Sequence, residues 1–304
     1  LKNGRAHRLV RAAEHLRSVA RDVLLIPTIG PRTAGALAVK AIEDGANLII
    51  AAGGDGTISE VVNGMANSHV PLGILPAGTA NVLAHEIGLK RNVISAARQM
   101  ADCSPRRVSI GEIVMASGEI RYFLMMAGAG FDAKVIYHLS AGLKDKLGKA
   151  SYFLGGLRRL GGTLAELDVI IDGRRRRCTF ALITKVRNYG GDFEIAAEVM
   201  LTDDQFEVIL FEGQNSWRYL RYLFGVATKR LKNTPGVCFI RTGCVELRAV
   251  NESVHLQADG EYIGGLPIDI RVVPDALTLL LPNREPRRFR RESPEEVQAG
   301  LSRR

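Results

Sequence analysis

No apolar run in this chain is long enough to cross a bilayer. Spanning needs roughly 18 apolar residues in a row, and every candidate stretch is broken by Asp, Arg or Gly. No secretory pattern opens the chain either, since LKNGRAHRLVRAAEHL is basic and helical. Tryptophan occurs once, and aromatic residues make up only 6%. Cysteine is scarce. Cys103, Cys178, Cys238 and Cys244 form no CxxC pair, and none of the six histidines sits at metal-ligand spacing to them. They read as buried thiols of a reducing compartment. There is no RNA-binding aromatic motif, zinc-finger spacing or helix-turn-helix pattern, so a nucleic-acid partner is not expected.

What is present suits a two-domain globular protein: 304 residues, 46% hydrophobic and 24% charged. The net charge is +9. A solvated basic surface accounts for that as readily as a partner does. The charge is nevertheless concentrated, in Arg174–Arg177 and in the arginine-bearing tail from 284 to 304. With nucleic acid set aside, an anionic membrane surface is the expected partner. The location expected is cytoplasmic with peripheral membrane association, and a homodimer is left open.

Along the chain the pattern changes near residue 108. Residues 4–20 read as an amphipathic helix with Leu9, Ala13, Leu16 and Ala20 on one face. A short strand is expected at Asp22–Ile26, a turn at Pro27–Pro31, and a helix to about Glu43. Asn47–Ala52 and Leu72–Leu75 read as buried parallel strands. Helices are expected near Ala80–Ile87 and Asn92–Met100. This alternation predicts a parallel sheet with helices on its faces. Beyond 108, strand patterns dominate: Arg107–Val114, Ile120–Ala127, Leu167–Ile171, Cys178–Thr184, Phe206–Phe211, Val237–Arg241, Cys244–Ala249, Val254–Ala258 and Ile268–Val273. Asp172-Gly173 and Asp259-Gly260 look like hairpin turns. Helices interrupt at Ala133–Leu139, Lys149–Leu160 and Ser216–Lys229. The expected division is 1–107, an α/β domain; 108–275, a mostly antiparallel β domain; and 276–304, a return segment and charged tail.

Two glycine turns carry the chemistry. ANLIIAAGGDGTISEVVNGM and VPLGILPAGTANVLAHEIG each place a glycine turn between an apolar run and a helical pattern. That arrangement presents backbone N–H groups and a helix N-terminus to a phosphate. Asp55, inside the first turn, is suited to hold a metal, orient an acceptor hydroxyl, take its proton, or simply cap the helix. Thr57 and Glu60 have the spacing of a capping box. Thr79 and Asn81 are suited to bind phosphate or to cap. Asp203-Asp204 reads equally as a solvated turn. His85 reads better as a helix packing residue than as a catalyst. The tandem turns point to a nucleotide-using phosphotransferase.

GGDGTISEVVNG followed by PLGILPAGTANVLAHEIG resembles the catalytic domain of the diacylglycerol kinases in its bacterial soluble form, a family related to sphingosine and ceramide kinases. AGAGFDAKV at 127–135, NYGGDFEIAAEVMLTDDQFEVIL at 188–210 and QADGEYIGG at 257–265 continue the resemblance, in order, to about Pro282. It implies an NAD-kinase/diacylglycerol-kinase-like α/β domain followed by an antiparallel β-sandwich, and transfer of the ATP γ-phosphoryl group to a lipid hydroxyl. It also implies roles. Gly53, Gly54, Asp55, Gly56, Thr57 and Glu60 line the ATP phosphate site, with Thr79 and Thr28 touching the nucleotide. Asp203 and Asp204, with the main-chain oxygens of Leu201 and Phe206, form a Mg2+ site. Glu261 accepts the hydroxyl proton, with Asp55 the rival base. Locally, Asp259-Gly260-Glu261 does not differ from Asp172-Gly173-Arg174; only the resemblance selects it.

The chain departs from that pattern in places. Gln205 and Ala197 replace a usual Gly and Pro, and the Asn-Pro-x-Ser-Gly phosphate loop is absent. The chain opens at Leu1, not Met, so the first strand and its loop are expected upstream. The enzyme rival is an NAD kinase, against which PAGTAN argues. The rival of another class is a non-catalytic lipid- or nucleotide-binding regulator.

Overall fold

The computed structural model describes residues 3–20, 22–130, 164–189, 193–196, 198–215 and 217–283. The helices expected at Ala133–Leu139 and Lys149–Leu160, Ala197 and the arginine-bearing tail lie outside the described residues.

The N-terminal part alternates as its periodicity predicts. Its elements are α1 (Asn3–Val19), α2 (Ala34–Glu43), β1 (Ile49–Gly53), α3 (Asp55–Met65), β2 (Leu72–Pro76), α4 (Val82–Glu86) and α5 (Val93–Gln99). β1 and β2 pair in parallel from Ile49↔Leu72 to Gly53↔Pro76. α1 buries Ala12 and Leu16 against Val93, Ala96 and Ala97 of α5. Asn92 caps α5, its Oδ1 accepting from Ile94 N and Ser95 N.

Asp22–Ile26 does not form the expected strand. It carries no sheet pairing, and Leu24 is 82% exposed. Apolar, β-branched composition makes a strand only where a neighbour supplies hydrogen bonds and cover.

The later elements are β3 (Cys103–Met115), β4 (Ile120–Phe123), β5 (Met126–Gly130), β6 (Leu167–Ile171), β7 (Arg174–Cys178), β8 (Phe180–Thr184), β9 (Asn188–Tyr189), β10 (Phe193–Glu194) and β11 (Phe206–Phe211). They continue with α6 (Arg218–Ala227), β12 (Val237–Thr242), β13 (Cys244–Ala249), β14 (His255–Ala258), β15 (Glu261–Gly265) and β16 (Ile268–Pro282). One sheet runs β1-β2-β16-β13-β6-β7, with β3 and β4 added beside β16. A second runs β12-β11-β8-β5-β14-β15 and is antiparallel throughout, and β9 and β10 form a small antiparallel pair of their own. Ile113, Phe123, Val169, Val245 and Ile270 of the first sheet pack on Ala127, Ile183, Phe206, Val208 and Leu256 of the second. The result is an α/β domain joined to an antiparallel β-sandwich.

β3 and β16 tie the two parts together. β16 pairs with β3 from Ile268 to Pro282, bulging between Val273 and Leu277, and reaches β2 at Leu279↔Leu72. This strand pair, together with Asn63 of α3, which bonds the Tyr122 N and O of β4 at 2.9 and 2.8 Å, fixes the parallel strands relative to the sandwich. The position 107/108 falls inside β3.

The arginine run forms the edge strand β7, exposed from Arg174 to Arg177. Arg175 and Arg177 lie 3.5 and 3.1 Å from the Asp168 carboxylate. Charge on an edge strand blocks pairing with another chain, so two of the four arginines have a structural partner. Among the cysteines only Cys178 is buried; Cys103 and Cys238 are half-buried and Cys244 is exposed, against the expectation of four buried thiols.

Candidate active site

The two glycine turns abut. A Cβ added to Gly78 would lie 2.4 Å from Gly54 Cα, and one on Gly54 3.2 Å from Gly78 Cα. Ala77 N donates to Gly53 O at 2.9 Å. The second turn is closed by Asn81, whose Oδ1 accepts from Gly78 N at 2.9 Å while its Nδ2 donates to Gly78 O at 3.0 Å. Asn81 itself adopts φ 47°, a left-handed conformation that Asn tolerates. Its amide therefore shapes the turn and does not cap α4. Thr79 is exposed at the crest of this turn.

Asp55 stands at the first residue of α3, and its Oδ1 accepts from Leu83 N of α4 at 3.4 Å. Burial raises its carboxyl above the ordinary range; amides at Leu83, Val82 and Asn81 pull the other way. Asp55 thus links the two turns through the start of α4. Thr57 folds back against Gly53, where a Cβ would meet its side chain at 2.6 Å.

The β14–β15 hairpin reaches this cleft. Asp259 and Gly260 take φ of 48° and 83°, as a type I′ turn requires. Asp259 is fully buried, and its carboxylate accepts three backbone amides: Leu124 N at 3.0 Å, Met125 N at 2.9 Å and Met126 N at 3.0 Å. Burial pushes its carboxyl up to about 6, opposed by those amides and reinforced by the charge of Asp55. The braced hairpin sets Glu261 over the first turn of α3. A Cβ on Gly56 would lie 3.0 Å from Glu261 Oε1. Residues some 200 positions apart, Asp55–Thr57 and Asp259–Glu261, therefore share one cleft.

The other expected residues stand elsewhere. Glu60 is not the partner of a capping box: α3 begins at Asp55 with Gly54 as its cap. Its carboxylate accepts from Arg32 N at 2.8 Å and Ala34 N at 2.9 Å, so both oxygens hold the loop and the first turn of α2. That binds Glu60 to the protein and not to a nucleotide phosphate. Thr28 is exposed in the unpaired stretch leading into that loop.

The acidic pair lies in the loop that leads into β11. Asp203 Oδ2 accepts from Arg241 Nη2 at 2.6 Å and from Met200 N at 3.2 Å. The Asp203 carbonyl accepts from Lys185 Nζ at 2.5 Å and Ser109 Oγ at 2.7 Å. Lys185 is fully buried, and burial lowers its ammonium to about 8. Asp204 is exposed, while the side chains of Leu201 and Phe206, whose main-chain oxygens are the expected ligands, lie in the core. Mg2+ takes oxygens arranged octahedrally around it; of the Asp203 oxygens, Oδ2 is engaged by Arg241 and Met200 N, and the carbonyl by Lys185 and Ser109. Among the described residues no group of three His, Cys, Asp or Glu side chains is placed to hold a metal ion. His85 packs as expected, its Nδ1 2.9 Å from Asn188 Nδ2.

Sequence reasoning missed Lys185 and the brace at Asp259. Lys185 gives no local signal, since lysine reads as a surface residue. Asp259 differs from Asp172 in its burial and in the three amides that donate to it, neither of which shows in the local sequence.

Abutting glycine turns at helix starts, faced by a carboxylate from a β-sandwich, define a two-domain phosphotransferase-type architecture. The comparisons agree. The family model described as "Diacylglycerol kinase catalytic domain" matches residues 2–113, and "YegS C-terminal NAD kinase beta sandwich-like domain" matches residues 125–281. The chain is 32% identical over 231 residues to a diacylglycerol kinase of Bacillus subtilis (strain 168), covering 73% of each. It is 27% identical over 289 residues to one of Mycobacterium tuberculosis (strain ATCC 25618 / H37Rv), covering 91% of this chain and 89% of that one. The fold matches a diacylglycerol kinase crystal structure from Bacillus anthracis str. Sterne with TM-score 0.74 at 21% identity, covering 91% and 92% of the two chains. An NAD kinase from Archaeoglobus fulgidus in complex with ATP matches with TM-score 0.52 at 13% identity, over 93% and 91%. The chain belongs to the diacylglycerol kinase family.

Proposed function

We propose that this protein is an ATP-dependent lipid kinase that moves the γ-phosphoryl group to a lipid hydroxyl, most simply that of diacylglycerol. The observation that carries the reading is Glu261 Oε1 lying over Gly56, at the N-terminus of α3. Helix N-terminal amides favour phosphate charge. A carboxylate beside them is placed to take the proton of an incoming hydroxyl as its oxygen bonds to phosphorus. The products are a phosphorylated lipid and ADP, with the proton left on Glu261 and passed to solvent. Positioning and electrostatic stabilisation supply most of the catalysis of such transfers.

Gly53, Gly54, Gly56 and Thr57 are the residues suited to the phosphates, with Thr79 at the rim. Asp55 bonds to the start of α4, which favours a bracing role and makes Glu261 the better base. Mg2+ would screen the transferring phosphoryl group, and Asp55 is the carboxylate nearest the phosphate turn.

The fold likeness to an NAD kinase keeps a dinucleotide acceptor as the second reading. γ-Labelled ATP offered with diacylglycerol, ceramide, sphingosine, phosphatidylglycerol and NAD decides between them. Label in the diacylglycerol product supports the proposal. Label in NADP alone, or in no acceptor, overturns it.

A further inference from the structure

Helix α6 is apolar on both sides, which a helix resting on a globular protein has no need to be. Its inner face buries Tyr219, Tyr222 and Gly225. Tyr219 and Tyr222 pack on Phe211, with ring centroids 6.3 and 5.2 Å away, and Phe211 stacks on Phe180 at 5.1 Å. Tyr222 Oη donates to Glu212 O at 2.6 Å. The helix is thus fixed to the sandwich by one side. Its outer face carries Trp217, Leu220, Leu223 and Phe224, exposed by 57, 41, 41 and 69%. Positions 217, 220 and 224 follow the i, i+3, i+7 spacing of one helix stripe. Four large apolar side chains contiguous on one helix make a patch, which scattered exposed residues do not.

The rim of this patch is basic. Arg221 and Arg230 are exposed around it, and Arg218 turns inward over Gly213 to hydrogen-bond Tyr222, while Lys229 pairs with Glu194 at 3.6 Å and Lys232 with Glu198 at 2.6 Å. We propose that the outer face of α6 is the surface by which this protein docks on an anionic lipid bilayer. Trp217, Leu220, Leu223 and Phe224 enter the interface, and Arg221 and Arg230 meet the headgroups. A helix lying in the interface plane has this composition: an apolar face with Trp and Phe, and arginines beside it. Tryptophan is favoured at the headgroup level, where one end of the ring is apolar and the other wet.

A second copy of the chain suits the patch less well. A twofold contact sets the same surface against itself, and it would bring the arginine rims together. The proposal rests on the lipid-kinase reading for why a bilayer must be met. It replaces Arg174–Arg177, half of which pairs with Asp168, as the principal membrane contact.

Trp217 is the sole tryptophan in the chain, so its emission reports this face directly. The test uses vesicles of phosphatidylglycerol with phosphatidylcholine, or of phosphatidylcholine alone, with no diacylglycerol and no ATP. Docking therefore fails or succeeds independently of the kinase reading, which is assayed separately in detergent micelles. The expected result is co-sedimentation with the anionic vesicles, weakening with salt, together with a blue shift of emission. The double variant Leu220→Glu, Phe224→Glu should bind about tenfold or more weakly, since two apolar side chains no longer leave water. Val19→Glu, at an exposed apolar position on α1, should bind as the wild type does. Phe224→Ser, a milder change, should lose binding in the same direction if the double variant melts early. Wild-type binding by these α6 variants, or an unshifted emission on bound protein, would overturn the proposal. So would a wild-type dimer that the double variant splits, which would assign the face to a second copy.

Discussion

Substituting Gly78 by Ala tests how the site is assembled. The added methyl would lie 2.4 Å from Gly54 Cα and 2.9 Å from Asn81 Oδ1. Carbon atoms in contact sit roughly 3.5–4.0 Å apart, so the two turns must separate by about 1 Å. The obstacle is backbone, and no rotamer change relieves it. Overpacking of this kind costs about 1–3 kcal/mol. A displacement of about 1 Å in a site that positions reactants costs up to about 10²-fold in rate. Gly54→Ala meets Gly78 Cα at 3.2 Å and should cost less. Gly30→Ala, with open space around it, should be near neutral. Urea unfolding and ATP affinity measured on the three variants give the ranking. A Gly78→Ala protein with wild-type stability and wild-type ATP affinity would refute the abutting-turn account, as would a Gly54→Ala protein damaged more than Gly78→Ala.

Two further outcomes follow from buried charges. The Asp259 carboxyl is raised from 3.8 to about 6 in the fold. The folded state thus holds this proton more tightly, and the stability it brings is present below about pH 4 and lost as pH rises through 6. A separation of about two pH units corresponds to about 3 kcal/mol. Wild-type stability minus that of Asp259→Asn should fall by about that amount between pH 4 and 7 in urea titrations, and a flat difference would remove the assignment. Lys185 is fully buried with Ser109 Oγ and the Asp203 carbonyl as acceptors. Lys185→Ala leaves a cavity, at a cost of about 2–5 kcal/mol, read as a lower midpoint in urea unfolding; wild-type stability in this variant would remove the buried-lysine account.

Much of this fold is readable from periodicity and turn chemistry. Leu167–Ile171, Phe206–Phe211 and Cys244–Ala249 are strands at the expected bounds, and both Asp-Gly pairs turn hairpins. What escaped depends on distant partners. Pro274-Asp275 looks like a strand end, yet β16 absorbs it in a bulge and runs on to Pro282, because β3 continues alongside. Asp22–Ile26 has strand composition and, among the described residues, no neighbour to pair with. Glu60 has capping-box spacing, but its oxygens meet amides nearly thirty residues away. The tandem glycine turns are legible as a phosphate site. Their contact with each other is not, nor is the arrival of Glu261, since both arise from packing between segments remote in sequence.

The central claim is that Glu261 takes the hydroxyl proton in phosphoryl transfer. Turnover of labelled ATP onto diacylglycerol in detergent micelles, compared for wild type, Glu261→Gln and Arg174→Gln, tests it most directly. Glutamine keeps the shape of the side chain and removes the base. Loss of a general base costs about 10²–10⁴-fold in rate. Glu261→Gln should lose turnover by that factor while ATP affinity and melting temperature hold. Arg174→Gln, in the corresponding hairpin on the far edge strand, should match the wild type. Near-wild-type turnover by Glu261→Gln would contradict the account and return the role of base to Asp55.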